Sequence, residues 1–191
     1  MCGRYYLEAG DAGEELLAIL QTLNRRGVAF KTGEIFPADT AAVIANSRAL
    51  RPTPFAMTWG YTLPGGKRLI NARSESAAEK PVFREGMLKR RCLIPASCYF
   101  EWSRCGKASM KYAIRPEGAG LMYMAGLHRL EEGRPVFTIL TREPAPQIAF
   151  IHNRMPVILP GSAAEAWLQL QNPAAEVLAR AEQDVVYGAV T

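Results

Sequence analysis

Between Arg91 and Thr141 the chain carries strand-patterned segments in succession, at Cys92–Trp102, Met110–Arg115, Leu121–Leu130 and Pro135–Thr141, with no 3.6-residue period between them. A block of strands with helical patterns only on either side does not make the regular β-α alternation of a doubly wound sheet. It predicts one α+β domain over residues 1–191. Before the block, Asp11 to Arg26 reads as a helix with Leu16, Leu17, Leu20 and Leu23 on one face. Phe30 to Arg51 reads as loop and short strand around Ala42-Val43-Ile44. Pro52, Pro54, Pro64 and Gly65-Gly66 read as breaks around Met57–Tyr61. Short helices are expected at Ser74–Lys80 and Val82–Lys89, separated by Pro81.

After the block, a short helix at Pro144–Ile151 and a strand at Pro156–Leu159 are expected. Ser162 with Glu165 reads as a capping box, and Asn172-Pro173 as a cap with a first-turn proline. A last strand at Val185–Val190 returns to the sheet. No internal repeat, low-complexity tract or linker interrupts the chain.

An apolar fraction of 49% with 21% charged residues excludes a disordered chain. The net charge is +5, carried by seventeen Arg and six Lys. Arginine suits planar, bidentate contacts to phosphate or carboxylate, so an anionic partner such as nucleic acid is favoured, although a mildly basic soluble enzyme has the same balance. No segment has the roughly eighteen apolar residues of a membrane span, and the N-terminus turns acidic with no secretion pattern. A cytoplasmic protein without disulfides is expected. The four cysteines form no C-x-x-C pair, and neither His128 nor His152 has ligand spacing to one, so no metal site is expected.

Four elements carry chemistry. Cys2 follows Met1, and a small second residue favours removal of the initiator methionine. The product is an N-terminal aminothiol, with an amine of pKa about 7.7–8.0 beside a thiol. Such a pair captures an aldehyde as an imine that closes to a thiazolidine; the alternative is that Met-Cys arises by chance and the thiol is merely buried. Gly3 allows close backbone approach and Arg4 puts a fixed charge next to the thiol. Asn71-Ala72-Arg73-Ser74-Glu75-Ser76 joins an apolar piece to a helix; it reads either as a cleft rim bearing Asn71 and Arg73, or as a helix cap with a solvated Arg. In Arg91–Trp102, Glu101 shares a strand face with Tyr99, so Glu101 is either a general acid raised by apolar surroundings or half of a salt bridge. Trp102 stacks on a base or fills core. His152, within Ile151–Pro156, lies between polar neighbours as a loop catalyst does, with Arg154 in reach of a phosphate. His128 lies in an apolar strand and reads as structural.

Taken in order, Met1-Cys2-Gly3-Arg4, Trp59-Gly60, Asn71–Glu75, Arg91-Cys92-Leu93-Ile94-Pro95 with Phe100-Glu101-Trp102, Ala125-Gly126-Leu127 and Ile151–Leu159 resemble the SOS-response-associated peptidase (SRAP) family, which processes abasic sites. The resemblance implies a β-rich, barrel-like mixed sheet flanked by helices. It implies that Cys2, once Met1 is gone, links covalently to abasic sites in single-stranded DNA, with Asn71, Glu101 and His152 as its catalytic surroundings. Arg4, Arg73 and Arg154 would bind phosphates, and Pro37, Trp59, Gly60, Trp102 and Thr141 match positions near the DNA path. It implies a monomer that needs no cofactor, nucleoid-associated when bound to DNA, with peptidase action on Met1 and a lyase side reaction. Where relatives carry a further tryptophan after Trp-Gly, this chain has Tyr61-Thr62-Leu63-Pro64-Gly65-Gly66. Phe36-Pro37-Ala38 and Thr141–Pro146 also depart from the family pattern. Two other classes fit parts of the sequence: a glutamine amidotransferase with an N-terminal Cys, and a non-covalent single-strand-binding module.

Overall fold

The computed structural model describes residues 2–8, 13–105 and 108–190. Met1, Asp11 and Thr191 lie outside the described residues. In chain order the strands begin with β1 (Tyr5–Leu7), β2 (Gly33–Ile35), β3 (Thr40–Asn46), β4 (Pro52–Trp59), β5 (Tyr61–Thr62), β6 (Arg68–Leu69) and β7 (Asn71–Arg73). The middle block supplies β8 (Arg91–Ala96), β9 (Cys98–Cys105), β10 (Ala108–Pro116), β11 (Met122–Glu131) and β12 (Arg134–Arg142). After it come β13 (Met155–Pro156), β14 (Ile158–Leu159) and β15 (Val185–Val190). The helices are α1 (Gly13–Arg25), α2 (Ser74–Ala77), α3 (Pro81–Lys89), α4 (Gly161–Leu168) and α5 (Ala174–Leu178).

Strands β12, β4, β3, β8 and β11 pair in a closed ring, antiparallel throughout except for the parallel β12–β4 contact. Closure removes the exposed edges that an open sheet would present. A second, five-stranded sheet runs β15-β10-β9-β1-β2 beside the ring. All six residues of β8 are buried, and its side chains alternate between two cores. Cys92, Ile94 and Ala96 join Met57, Trp59, Phe137 and the α1 leucines; Leu93 joins Phe83, Leu127, Leu140 and Trp167 under α3 and α4. Gly126 is required on β11: a Cβ there would sit 2.7 Å from the Thr138 carbonyl and overlap Ile94.

The α+β class, the barrel-like core and the flanking helices are as expected. Several local expectations are corrected. The stretch Cys92–Trp102 is two strands, β8 in the ring and β9 in the second sheet, parted at Ser97. Pro52 and Pro54 do not break the chain; they lie inside β4, whose pairing with β12 is confined to Thr58 and Trp59, so their end of the strand has an open edge. The Pro54 carbonyl points out along that edge and accepts from Arg26 (2.7 Å). Pro144–Ile151 holds only a turn of 3-10 helix at Pro146–Ile148. Ser162 caps nothing: α4 begins at Gly161 after Pro160, and the Ser162 hydroxyl accepts from Arg180. Pro173, rather than Asn172, precedes α5, and the Asn172 amide donates to the Ala166 carbonyl near the end of α4. His128 is structural as expected; burial and then the Arg90 charge lower its pKa to about 4, so it is neutral near pH 7. Among the described residues no helix is long and apolar enough to cross a membrane.

Candidate active site

The break at Ser97 positions the site. Its amide donates to the Tyr6 carbonyl (2.7 Å), and the Glu8 amide donates to its hydroxyl (3.3 Å), which pins the start of β9 against β1. Tyr5 then lies opposite Tyr99, and the Phe100 amide donates to the Arg4 carbonyl (2.9 Å). This zipper carries residues 2–4 along β9 and brings Cys2 to Glu101.

Cys2 is fully buried, and Glu101 is 4% exposed. Burial, and after it the Glu101 charge, push the Cys2 thiol far above its ordinary range, so it rests as S–H. Its weak donation goes to the Arg4 carbonyl at 3.8 Å. The Asn71 side-chain amide donates to the Cys2 carbonyl at 2.8 Å from the first residue of β7, a strand that runs parallel to β12. Asn71 Oδ1 is buried and has no hydrogen-bond partner among the described residues. Thus Cys2, Asn71 and Glu101, far apart in sequence, meet in one wall.

Above the wall, Glu101 and Trp102 share a cleft of about 700 Å³ with Phe150, His152 and Asn153. The Arg154 amide donates to His152 Nδ1 (3.0 Å), so the neutral ring carries its proton on Nε2. Arg154 is held in turn. Its Nη1 and Nη2 donate to the two Glu75 carboxylate oxygens (2.8 Å each), and Nη2 also donates to the Thr141 carbonyl (2.6 Å). That bidentate contact is the main reason the Glu75 carboxyl lies below its usual range. The segments around Asn71 and His152 are therefore tied together through Glu75 and Arg154.

On the other side of the cleft, the Arg4 guanidinium lies 4.3 Å from the Phe36 ring centroid and 4.9 Å from that of Trp102. Arg4 Nη1 and Lys111 Nζ both donate to Glu34 Oε1, at 3.3 and 2.7 Å. Lys111 also lies 3.9 Å from the Phe100 ring centroid. Pro37, next to Phe36, is half-buried. Arg73 is exposed at the end of β7, and its charge adds to the lowering of Glu75.

Three of the residues expected near the DNA path are buried. Trp59 is fully buried, stacks near-parallel on Phe137, and donates its indole N–H to the Ile70 carbonyl (2.9 Å). Gly60 is buried with φ +110°, a backbone state that excludes most side chains, and a Cβ there would lie 3.2 Å from Ile70. Thr141 is fully buried, its hydroxyl directed at the Ala72 carbonyl (3.4 Å). Trp59 and Thr141 support the backbone on which Asn71 and Arg154 stand.

Sequence reasoning missed Glu34 and Lys111. No local motif marks either, since only the pairing of β9 with β10 and of β1 with β2 brings them to Arg4. A larger cavity of about 900 Å³, lined by Glu15, Ile44, Asn46, Tyr123 and Leu168, contains none of the expected site residues.

A buried N-terminal cysteine wall, a polar cleft and a closed mixed ring together define a class. The family description "SOS response associated peptidase (SRAP)" matches residues 1–190, and the chain belongs to that family. Abasic site processing protein YoaM of Bacillus subtilis is 35% identical over 64% of this chain and 59% of its own length. YedK of Escherichia coli, also an abasic site processing protein, is 28% identical over 88% of this chain and 80% of its own. The chain thus spans about three fifths of the Bacillus relatives it matches. In fold it is similar to a crystal structure of a protein from Bacteroides thetaiotaomicron, with a TM-score of 0.79 and 20% identity, covering 100% of this chain and 92% of that one.

Proposed function

We propose that this protein captures abasic sites in single-stranded DNA through Cys2, after removal of Met1, and shields the lesion as a thiazolidine. The reading rests on membership of the SRAP family and on relatives named as abasic site processing proteins. The observation that carries it is the wall of Cys2, Asn71 and Glu101, with Asn71 clamping the Cys2 carbonyl at 2.8 Å.

The chemistry follows from the protonation of that wall. A thiol held as S–H is a poor first nucleophile, so the α-amine acts first. It adds to C1 of the open-chain aldehyde and water leaves, giving an imine. Asn71 Oδ1, buried without a partner, supplies the acceptor that orients the amine. The Cys2 sulfur then bonds to the imine carbon while its proton passes by way of Glu101 to the nitrogen, which closes the five-membered ring. Glu101 serves imine formation, closure and reversal; His152 Nε2–H serves opening of the sugar ring. Closure consumes the imine that would otherwise drive β-elimination, so strand cleavage is a slow side reaction. Met1 removal is the hydrolytic step, and the family's description as a peptidase accords with self-cleavage there. A denaturing gel after incubation with abasic single strands tests the proposal: a heat-stable shifted band is expected from the wild type, and its absence would overturn it.

A further inference from the structure

The Arg4–Lys111–Glu34 cluster carries two cations and one carboxylate, all partly reachable, with side-chain exposures of 30%, 23% and 31%. Both cations converge on one oxygen, Glu34 Oε1. The Arg4 guanidinium is already oriented by the Phe36 and Trp102 rings, and its Nε is buried with no hydrogen-bond partner among the described residues. Trp102 and Glu101 are adjacent on β9, so this cluster borders the cleft. A phosphodiester has the same unit charge as a carboxylate and two acceptor oxygens, which can engage both an arginine and a lysine.

We infer that Glu34 is an internal stand-in for a DNA phosphate: it occupies a phosphate subsite formed by Arg4 and Lys111, and a backbone phosphate beside the nucleotide in the cleft replaces it. The inference rests on the single-strand reading above. Exchange of one anion for another leaves the two cations compensated in both states. Glu34 therefore weakens binding of every strand, and only a strand that fills the rest of the cleft overcomes it. Glu75 differs, since it grips Arg154 through both oxygens at 2.8 Å and leaves that side chain 11% exposed.

The test uses an undamaged single-stranded oligonucleotide, which binds without crosslinking, followed by fluorescence anisotropy across a salt series. Glu34→Gln should bind several-fold more tightly than wild type at low salt. Its log–log salt slope should steepen by about 0.7, the value for one additional phosphate contact on a single strand. Lys111→Ala should bind more weakly and lose about 0.7 from the slope. Glu34→Asp keeps the charge and withdraws the carboxylate; it should also tighten binding, and it decides the matter if Glu34→Gln does not fold. A folded Glu34 variant that binds no more tightly than wild type would overturn the inference and make Glu34 an orienting partner of Arg4. Failure of the abasic-site reading looks different: the wild type would give no adduct on a denaturing gel, whatever the order of affinities on undamaged strands.

Discussion

The wall and the rim of the cleft are built on different physical principles. In the wall, Cys2 and Glu101 are buried, half-buried Asn71 clamps the Cys2 carbonyl, and the thiol is kept protonated. The rim is charged: Arg4 and Lys111 share Glu34 and are partly solvated, whereas Arg154 is gripped by Glu75 and mostly buried. Buried groups fix reactivity because their protonation responds to neighbours, whereas solvated ion pairs contribute little to stability and remain exchangeable. The wall should therefore govern rate and the rim affinity.

The largest expected effect breaks the wall. Cys2→Ala should abolish the heat-stable adduct on a denaturing gel, since an imine formed by its amine has no thiol to trap it, and Cys2→Ser should do nearly the same. Binding of undamaged strands should be unchanged by either. Next, Glu101→Gln keeps size but cannot exchange a proton, so a loss of about tenfold or more is expected in both formation and reversal of the crosslink. His152→Ala should slow capture of the closed-ring sugar by a similar factor, with partial recovery on an open-chain aldehyde. A Glu101→Gln protein with normal rates in both directions would make that carboxylate structural.

Smaller effects sharpen the rim. Arg4→Ala should weaken single-strand binding and reduce the salt slope by about 0.7, yet leave reaction with a small free aldehyde intact. Arg154→Ala should behave as a hybrid: it keeps the backbone amide that donates to His152, but it removes the guanidinium that ties this segment to Glu75 and to the Thr141 carbonyl, which loosens His152. Loss of affinity together with slower capture is expected there, and an affinity change alone would reassign Arg154 wholly to the rim.

The smallest effect lies away from both regions. His128 has a folded pKa of about 4 against an ordinary value of 6.5, so between those values the unfolded chain binds a proton that the folded chain does not. Stability should be fully present above about pH 6.5 and fall as the pH drops toward 4, by about 2 kcal/mol after allowance for partial exposure. Thermal melts of His128→Gln should show a flatter dependence over that window.

Much of this was legible in the sequence, and what was not has a physical reason. Alternating apolar patterns located the strands of the middle block, and Cys2, Asn71, Glu101 and His152 drew attention through side-chain chemistry and motif. Their convergence depends on strand pairing, which no local pattern encodes. The same holds for Lys111, brought to Arg4 only because β10 pairs with β9. The family resemblance puts Trp59 near the DNA path without saying which way its ring faces; in the fold the ring lies against Phe137 in the core. Pro52 and Pro54 read as breaks because the open edge of β4 that admits them is a property of the sheet.

Intact-mass measurement of the protein after mixing with an abasic single strand tests the central claim most directly. The account predicts a protein lacking Met1 whose mass rises by that of the oligonucleotide less one water, with a Cys2→Ala protein remaining unmodified. An unmodified wild-type mass, or an adduct that Cys2→Ala forms equally well and retains on heating, would contradict it.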